Sequence, residues 1–342
     1  MAVGAPGGAP HRTGSVPRKA HVDPHQWLWV VFTVGAAATQ TARNAMQRSL
    51  TERLGTLGAT HVRFHYGLPF GLAFLAAIAA VSGLDGLAPS WSFAAWTLAG
   101  ALAQIAGTAL MLAAMRERAF VVAIAYVKTE PVQIALFGFV VLGEALGAQA
   151  LLAVAVATAG VLLMSLPARA GAAAGAGVVG AAAGAPSPGT ERAGRFARLR
   201  PALLGIGSGA MFALSAVGFR GAIVDLGEAP FYARSTFTLA ASLAIQTALL
   251  TGWLLARDRR VLREILRAWR PSLAAGAAGA LASQMWFLAF SLQTAAAVRT
   301  VGLVEILFAQ AASRRLFSQR ASRREALGIA LMAAGLALLL AA

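Results

Sequence analysis

The sequence predicts an all-α integral membrane protein of ten transmembrane helices, built as two inverted five-helix repeats. Composition is the first reason: 58% of the 342 residues are hydrophobic and only 12% are charged, against about 25% charged in an ordinary soluble protein. Mean hydropathy is correspondingly high, at +0.69. Patterning is the second reason, because the apolar residues fall into blocks of about 20, the helical length that crosses a hydrocarbon core about 30 Å thick. The third is an internal echo. A shift of 175 positions carries Glu130 onto Glu305, Gly160 onto Gly335, and the last apolar block of the first half onto that of the second. An odd number of helices per repeat inverts one half relative to the other, an architecture found in secondary transporters.

In chain order, residues 1–26 are Gly, Ala, Pro and basic residues without periodicity, and read as a disordered tail. They lack the apolar core of a cleavable signal peptide, so the first block is expected to direct insertion itself. Helices follow at 27–46, 61–82, 91–114, 119–147 and 148–166, completing a first repeat over 27–166. Residues 167–200 form a linker: an Ala/Gly-rich stretch, then Pro-Ser-Pro-Gly, then a basic run. Its part at 168–185 has the length of a span but no Leu, Ile or Phe to hold it in a bilayer. The second repeat, 201–342, repeats the plan with helices at 201–224, 230–256, 272–293, 294–317 and 325–340.

The net charge of +16 would suggest nucleic acid in a soluble protein. Here the arginines lie between apolar blocks and set orientation instead. Loops after the odd-numbered helices hold Arg48, Arg53, Arg116, Arg118 and the basic runs near 192–200, 257–270 and 314–324, whereas the even loops carry acidic residues. The positive-inside rule therefore makes the odd loops cytoplasmic and leaves both termini outside, against three opposing charges in the tail. The only lysines are Lys19 and Lys128, with Arg, Ala and Gly abundant, a bias typical of a GC-rich bacterial genome; the expected location is the bacterial inner membrane. With no cysteine, disulfides and thiolate metal sites are excluded.

The most informative stretch is 119–147, AFVVAIAYVKTEPVQIALFGFVVLGEALG, which is apolar enough to span yet carries Lys128, Glu130 and Pro131 near its middle. A charge at membrane depth costs about 2.5–3.5 kcal/mol on insertion scales, so it is normally retained for function. Lys128 and Glu130 are two residues apart, which on a regular helix points them about 200° apart. Pro131 removes a backbone donor and strains the preceding turn, so a kink is expected there, and with it the chance that both charges face one cavity. Glu305 is the repeat counterpart of Glu130, whereas Leu303 and Ile306 stand at the counterparts of Lys128 and Pro131. Two carboxylates related by a pseudo-two-fold axis could share a proton, which is the basis for expecting proton coupling. The competing reading pairs each glutamate with an arginine, Arg299 and Arg220 being the candidates.

Other polar residues in the spans are few. Gln40, Asn44 and Gln47 make a stripe beside Arg43 at the end of the first helix, Gln104 and Thr108 share a face of the third, and Ser283 and Gln284 lie in the matching region of the eighth. Tyr126, Gln133, Gln310 and Trp286 could add hydrogen bonds or an aromatic wall. His61 and His65 have the spacing of helix-borne metal ligands but no third ligand nearby, so no metal or other cofactor is expected. No glycine-rich phosphate loop supports ATP hydrolysis.

Several of these features together carry a family likeness. An arginine opens the second helix of each half (Arg63, Arg234), and the run Tyr126…Glu130-Pro131…Leu142-Gly143-Glu144 precedes a fifth helix bearing Gly160. In these the chain resembles the EamA-type drug/metabolite transporters, over about 27–340. The resemblance implies a basket of ten helices around a central cavity lined mainly by helices 1, 3, 4, 6, 8 and 9, and an activity of moving amino acids, drugs or other small metabolites, most often outward. It also implies a structural role for Glu144, Arg63 and Arg234. The second half departs from the pattern at Ser318-Gln319, where the first has Gly143-Glu144.

The expected function is secondary transport of a small polar, amino-acid-like or drug-like molecule by alternating access. Glu130 is the prime proton or cation site, Glu305 its symmetry partner and Lys128 a counter-charge. Tyr126, Gln104, Gln284, Asn44 and Arg299 complete the candidate binding set. The expected partners are the small-molecule substrate, protons and the lipid bilayer, not nucleic acid. Two other readings stand beside it: a membrane-embedded enzyme acting on a lipid, which would need convergent His, Asp or Ser groups, and a non-transporting scaffold docking through the basic helix near 257–270. The five histidines lie in the tail and at the start of the second helix, which argues against the enzyme.

Overall fold

The computed structural model describes residues 27–117, 120–165, 188–317 and 323–341. The tail at 1–26, most of the predicted linker, and the Ser318-Gln319 corner lie outside these residues. The described chain is helical, with no strand. Five of its helices are long and apolar enough to cross a membrane: Leu28–Ser82, Trp91–Glu117, Arg200–Asp225, Phe231–Arg257 and Trp269–Leu292. Three shorter apolar helices accompany them, Glu130–Leu142, Ala148–Leu163 and Ala326–Leu340.

The first helix, α1 (Leu28–His65), runs through what the sequence suggested was a loop. Arg48, Leu50, Glu52 and Arg53 are good helix formers, so the helix continues until Gly55, whose φ of 68° only glycine adopts without strain. The chain doubles back there. Twenty residues of straight helix would separate Arg43 from Arg63 by about 30 Å, yet a methyl group on Gly279 would lie 3.3 Å from the Arg43 side chain and 3.4 Å from that of Arg63. Gln47 Nε2 also donates to the Ala59 carbonyl across the fold, at 2.9 Å. The returning leg continues into α2 (Leu68–Ser82).

After α3 (Trp91–Glu117) the expected single kinked helix is two short ones, α4 (Phe120–Val127) and α5 (Glu130–Phe137), followed by a π turn over Gly138–Leu142 and a left-handed Gly143. Then come α6 (Ala148–Ser165), α7 (Pro188–Asp225), α8 (Phe231–Arg257), the short basic α9 (Arg259–Arg267) and α10 (Trp269–Leu292). α7 begins inside the stretch read as linker, because its Arg/Ala/Leu run favours helix, and it carries Pro201 within it. The chain ends with α11 (Ala295–Val301), a 3₁₀ turn over Gly302–Val304, α12 (Glu305–Phe317) and α13 (Arg323–Leu340).

Three pairings dominate the packing, α1 along α10, α3 along α7 and α6 along α13; α2 along α8 is a smaller one, matched by α8 along α10 within the second half. The three dominant pairings and α2–α8 each join the part of the chain before 166 to the part after 188. Small residues let the backbones approach. Gly160 faces the Gly328 carbonyl and the Met332 amide, and Gly335 faces Ala157, at distances where an added Cβ would sit only 2.5–2.7 Å away. α9 lies across the Gly55 fold, with Ile265 buried, Val261 against Gly58, and the Ile265 carbonyl accepting from the Tyr66 hydroxyl at 3.2 Å.

Candidate functional site

The interior where these pairs meet holds an unusual number of charges. Arg43 (1% exposed), Arg63 (3%), Lys128 (4%), Glu130 (2%), Arg299 (8%) and Glu305 (1%) are all buried around one small cavity of about 20 Å³. That is room for about one water molecule. Burying an ion is expensive unless it is paired and hydrogen-bonded, so the partners of each group matter.

Both carboxylates begin a half-helix. Glu130 is the first residue of α5 and Glu305 the first of α12. The exposed amides at a helix start favour a negative charge, by about 0.3–1 kcal/mol in accessible settings. In α5 the break follows from Pro131, which occupies the first turn, where a missing N–H costs nothing. Lys128 and Thr129 form the turn between the half-helices. The break is what lets Lys128 and Glu130 line the same cavity, as a regular helix would not. In the second broken helix no proline is present. Gly302 opens the interruption, and an added Cβ there would lie 2.5 Å from the Trp286 ring.

The ion pairs are crossed between the two broken helices. Lys128 Nζ lies 2.5 Å from Glu305 Oε2, and Arg299 Nε lies 3.4 Å from Glu130 Oε1. The first pair is tight and supported: Glu305 also accepts from Gln40 Nε2 at 2.6 Å and from Asn44 Nδ2 at 3.0 Å. The second is loose, for neither Glu130 Oε1 nor Arg299 Nε makes a hydrogen bond of good geometry among the described residues. Arg299 instead stacks its guanidinium 4.2 Å from the centre of the Trp286 ring. Trp286 Nε1 donates to Gln40 Oε1 at 2.9 Å, tying the stacked arginine back to Glu305.

Arg43 and Arg63 come from the two legs of α1. Arg43 donates through Nε and Nη2 to Asn44 Oδ1, at 3.2 and 2.6 Å. Arg63 donates to Thr108 Oγ1 at 2.9 Å and to Ser283 Oγ at 3.4 Å.

Of the residues proposed from sequence, Lys128, Glu130, Glu305, Asn44, Gln104 and Arg299 line the cavity. Gln104 is held by Gln246, whose Nε2 donates to it at 2.8 Å. Tyr126 packs against Gly205, and Gln284 donates to Thr236 at 2.9 Å, both outside the cavity lining. Pro131 sits at the helix break as expected. Glu144 pairs with Arg220 at 3.1 Å, so Arg220 is not the partner of Glu305; Arg220 also donates to the Phe290 carbonyl. The two arginines read as structural part company, since Arg63 lines the cavity while Arg234 donates to the Gly227 carbonyl at 3.4 Å. Arg43 was missing from the sequence-based set. Its signal was its place beside the stripe of Gln40, Asn44 and Gln47, three residues after Gln40.

His61 and His65 stand with ring centres 5.2 Å apart, and His61 Nε2 meets Thr251 Oγ1 at 3.2 Å. No group of three or more His, Cys, Asp or Glu side chains suited to a metal occurs among the described residues.

No protein-family profile matches the chain, and no curated protein sequence does. The fold does have solved counterparts, with 22 chains matching. One, described as "Crystal structure of protein", superposes with a TM-score of 0.60 at 16% identity, over 92% of this chain and 94% of its own. At that identity the likeness concerns the fold alone.

Proposed function

We propose that the chain is a secondary transporter that crosses the membrane ten times, as two inverted five-helix repeats of EamA type, and moves a small polar solute by alternating access. The observation that carries this reading is the pair of crossed ion pairs at a central cavity, each joining one half of the chain to the other. Charges buried at such an interface are separated when the halves rock apart and rejoined when they close, so solute and ion binding can bias the motion.

The packing supports the repeat. Exchanging each helix for its counterpart turns the α1–α10 contact into the α7–α3 contact and returns α6–α13 and α2–α8 to themselves. The paired breaks ahead of Glu130 and Glu305 add to it, discontinuous helices being a common way to build a midplane site. On this reading the 55-residue apolar segment Leu28–Ser82 supplies two passes, folded at Gly55. Loop charge puts the Gly55 fold on the cytoplasmic side and both termini outside.

Glu130 is the proposed proton or cation site, because its ion pair is the loose one. The test is solute flux in proteoliposomes under an imposed pH gradient. Uptake driven by the gradient, and lost in Glu130→Gln while downhill exchange persists, is expected. Flux indifferent to the gradient rejects proton coupling, and the absence of flux for every solute class rejects the transporter.

A further inference from the structure

The charges around the cavity do not balance. Lys128 is matched by Glu305 and Arg299 by Glu130. Arg43 and Arg63 have no carboxylate within ion-pair distance among the described residues. Both lie at the cavity wall, and their side chains meet over Gly279. Their partners are an amide oxygen and two hydroxyls. Neutral acceptors satisfy N–H groups but leave the charge in place, and two like charges side by side in a buried site repel. Arg43 Nη1, on a side chain 1% exposed, has no hydrogen-bond partner among the described residues.

A guanidinium presents a planar fork that fits carboxylate and phosphate oxygens and cannot shed its proton to escape burial. Two such forks, with an unused donor and no counter-charge, make a receptor for an anion. A zwitterion fits less well, because of the two carboxylates that would receive its ammonium Glu305 is held by Lys128, Gln40 and Asn44, and Glu130 already faces Arg299.

We infer that the substrate is a small organic anion whose dianionic headgroup, a phosphate or a pair of carboxylates, docks between Arg43 and Arg63 when the two halves part and widen the closed cavity, which itself holds about one water molecule. This rests on the transporter reading above. Charge neutrality sets the class: two unmatched cations accept two negative charges. Gly279 lies against the aliphatic stems of both arginines, so a bulky side chain there would push both forks out of place.

The experiment uses the full chain purified in detergent, with inorganic phosphate, succinate, alanine and tetraethylammonium as probes. Thermal-shift titration reads binding, and labelled probes in proteoliposomes read flux. Phosphate or succinate is expected to raise the melting temperature saturably, alanine and tetraethylammonium not. The response to phosphate against succinate tells which headgroup is preferred. Arg43→Gln and Arg63→Gln should each weaken anion binding about 10-fold or more, the loss of one charged hydrogen-bonding group, with the lysine variants, which keep the charge but lose the fork, falling between. If the glutamine variants fail to elute as folded protein, Gly279→Leu, which crowds the stems of both arginines and displaces their forks while keeping both charges, should abolish the shift. No shift with either anion, or wild-type anion affinity in these variants, overturns the inference. Anion binding without flux of any probe keeps the subsite and rejects transport, whereas flux of alanine or tetraethylammonium without anion binding does the opposite.

Discussion

Glu305 and Glu130 hold equivalent places in the two broken helices, yet one is enclosed by Lys128, Gln40 and Asn44 while the other has a single distant arginine. Removing one member of a buried ion pair strands the other, at about 3–5 kcal/mol, whereas removing both leaves only a packing defect. Lys128→Gln and Glu305→Gln should therefore each lower the melting temperature in detergent strongly, and the double variant less than the sum of the two. Glu130→Gln should cost less than Glu305→Gln in the same assay, since a 3.4 Å pair without good hydrogen bonds has less to lose. Additive losses would show that Lys128 and Glu305 are not coupled. Glu130, Glu305 and Lys128, which the structure buries at one cavity, stand out in the sequence because charge is rare in apolar blocks. Their pairing was not legible there. Two residues of spacing within one helix said that Lys128 and Glu130 diverge, and only the break after Val127 turns both toward the cavity. Arg43 and Arg63 read as a helix-end residue and a motif residue, since nothing in one dimension shows that the chain folds at Gly55 and brings them over one glycine.

Helix breaks differ in how they are written. The one ahead of Glu130 is announced by Pro131, whereas the one ahead of Glu305 has only Gly302-Leu303-Val304, which a composition-based reading takes as ordinary span. Its cause is tertiary: the Trp286 ring fills the space a side chain at 302 would need. The contact between α6 and α13 was more open to prediction, as Gly160 and Gly335 already coincided in the internal repeat. In the fold each presses on the backbone or Cβ of the other helix. Gly160→Leu and Gly335→Leu should each destabilise by about 1–3 kcal/mol or more, the cost of overpacking a close contact. Gly147→Leu, at a position with nothing within 4 Å, should leave the melting temperature nearly unchanged. Equal behaviour of all three would mean that α6 and α13 do not pack as described.

Across the whole molecule, the three most extensive helix pairings, α1–α10, α3–α7 and α6–α13, and both central ion pairs join the first half of the chain to the second. A protease site placed within 168–185, outside the described residues, should therefore be cut without separating the halves, which will co-elute in mild detergent; free halves would contradict the interlocked packing. The carboxylates of the site follow the proposed repeat, but the cations do not. The counterpart of Lys128 is Leu303 and that of Arg299 is Ile124, both buried and apolar. In a transporter whose two faces open by exchanging the shapes of its halves, full symmetry would give the two open forms equal energy. On the transporter reading proposed above, the exchange would carry each cation into surroundings built for Leu303 or Ile124, which makes the forms inequivalent and predicts that the empty protein rests preferentially toward one side. Because the chain has no cysteine, single cysteines introduced at either mouth and probed with an impermeant label will report which side that is, without background.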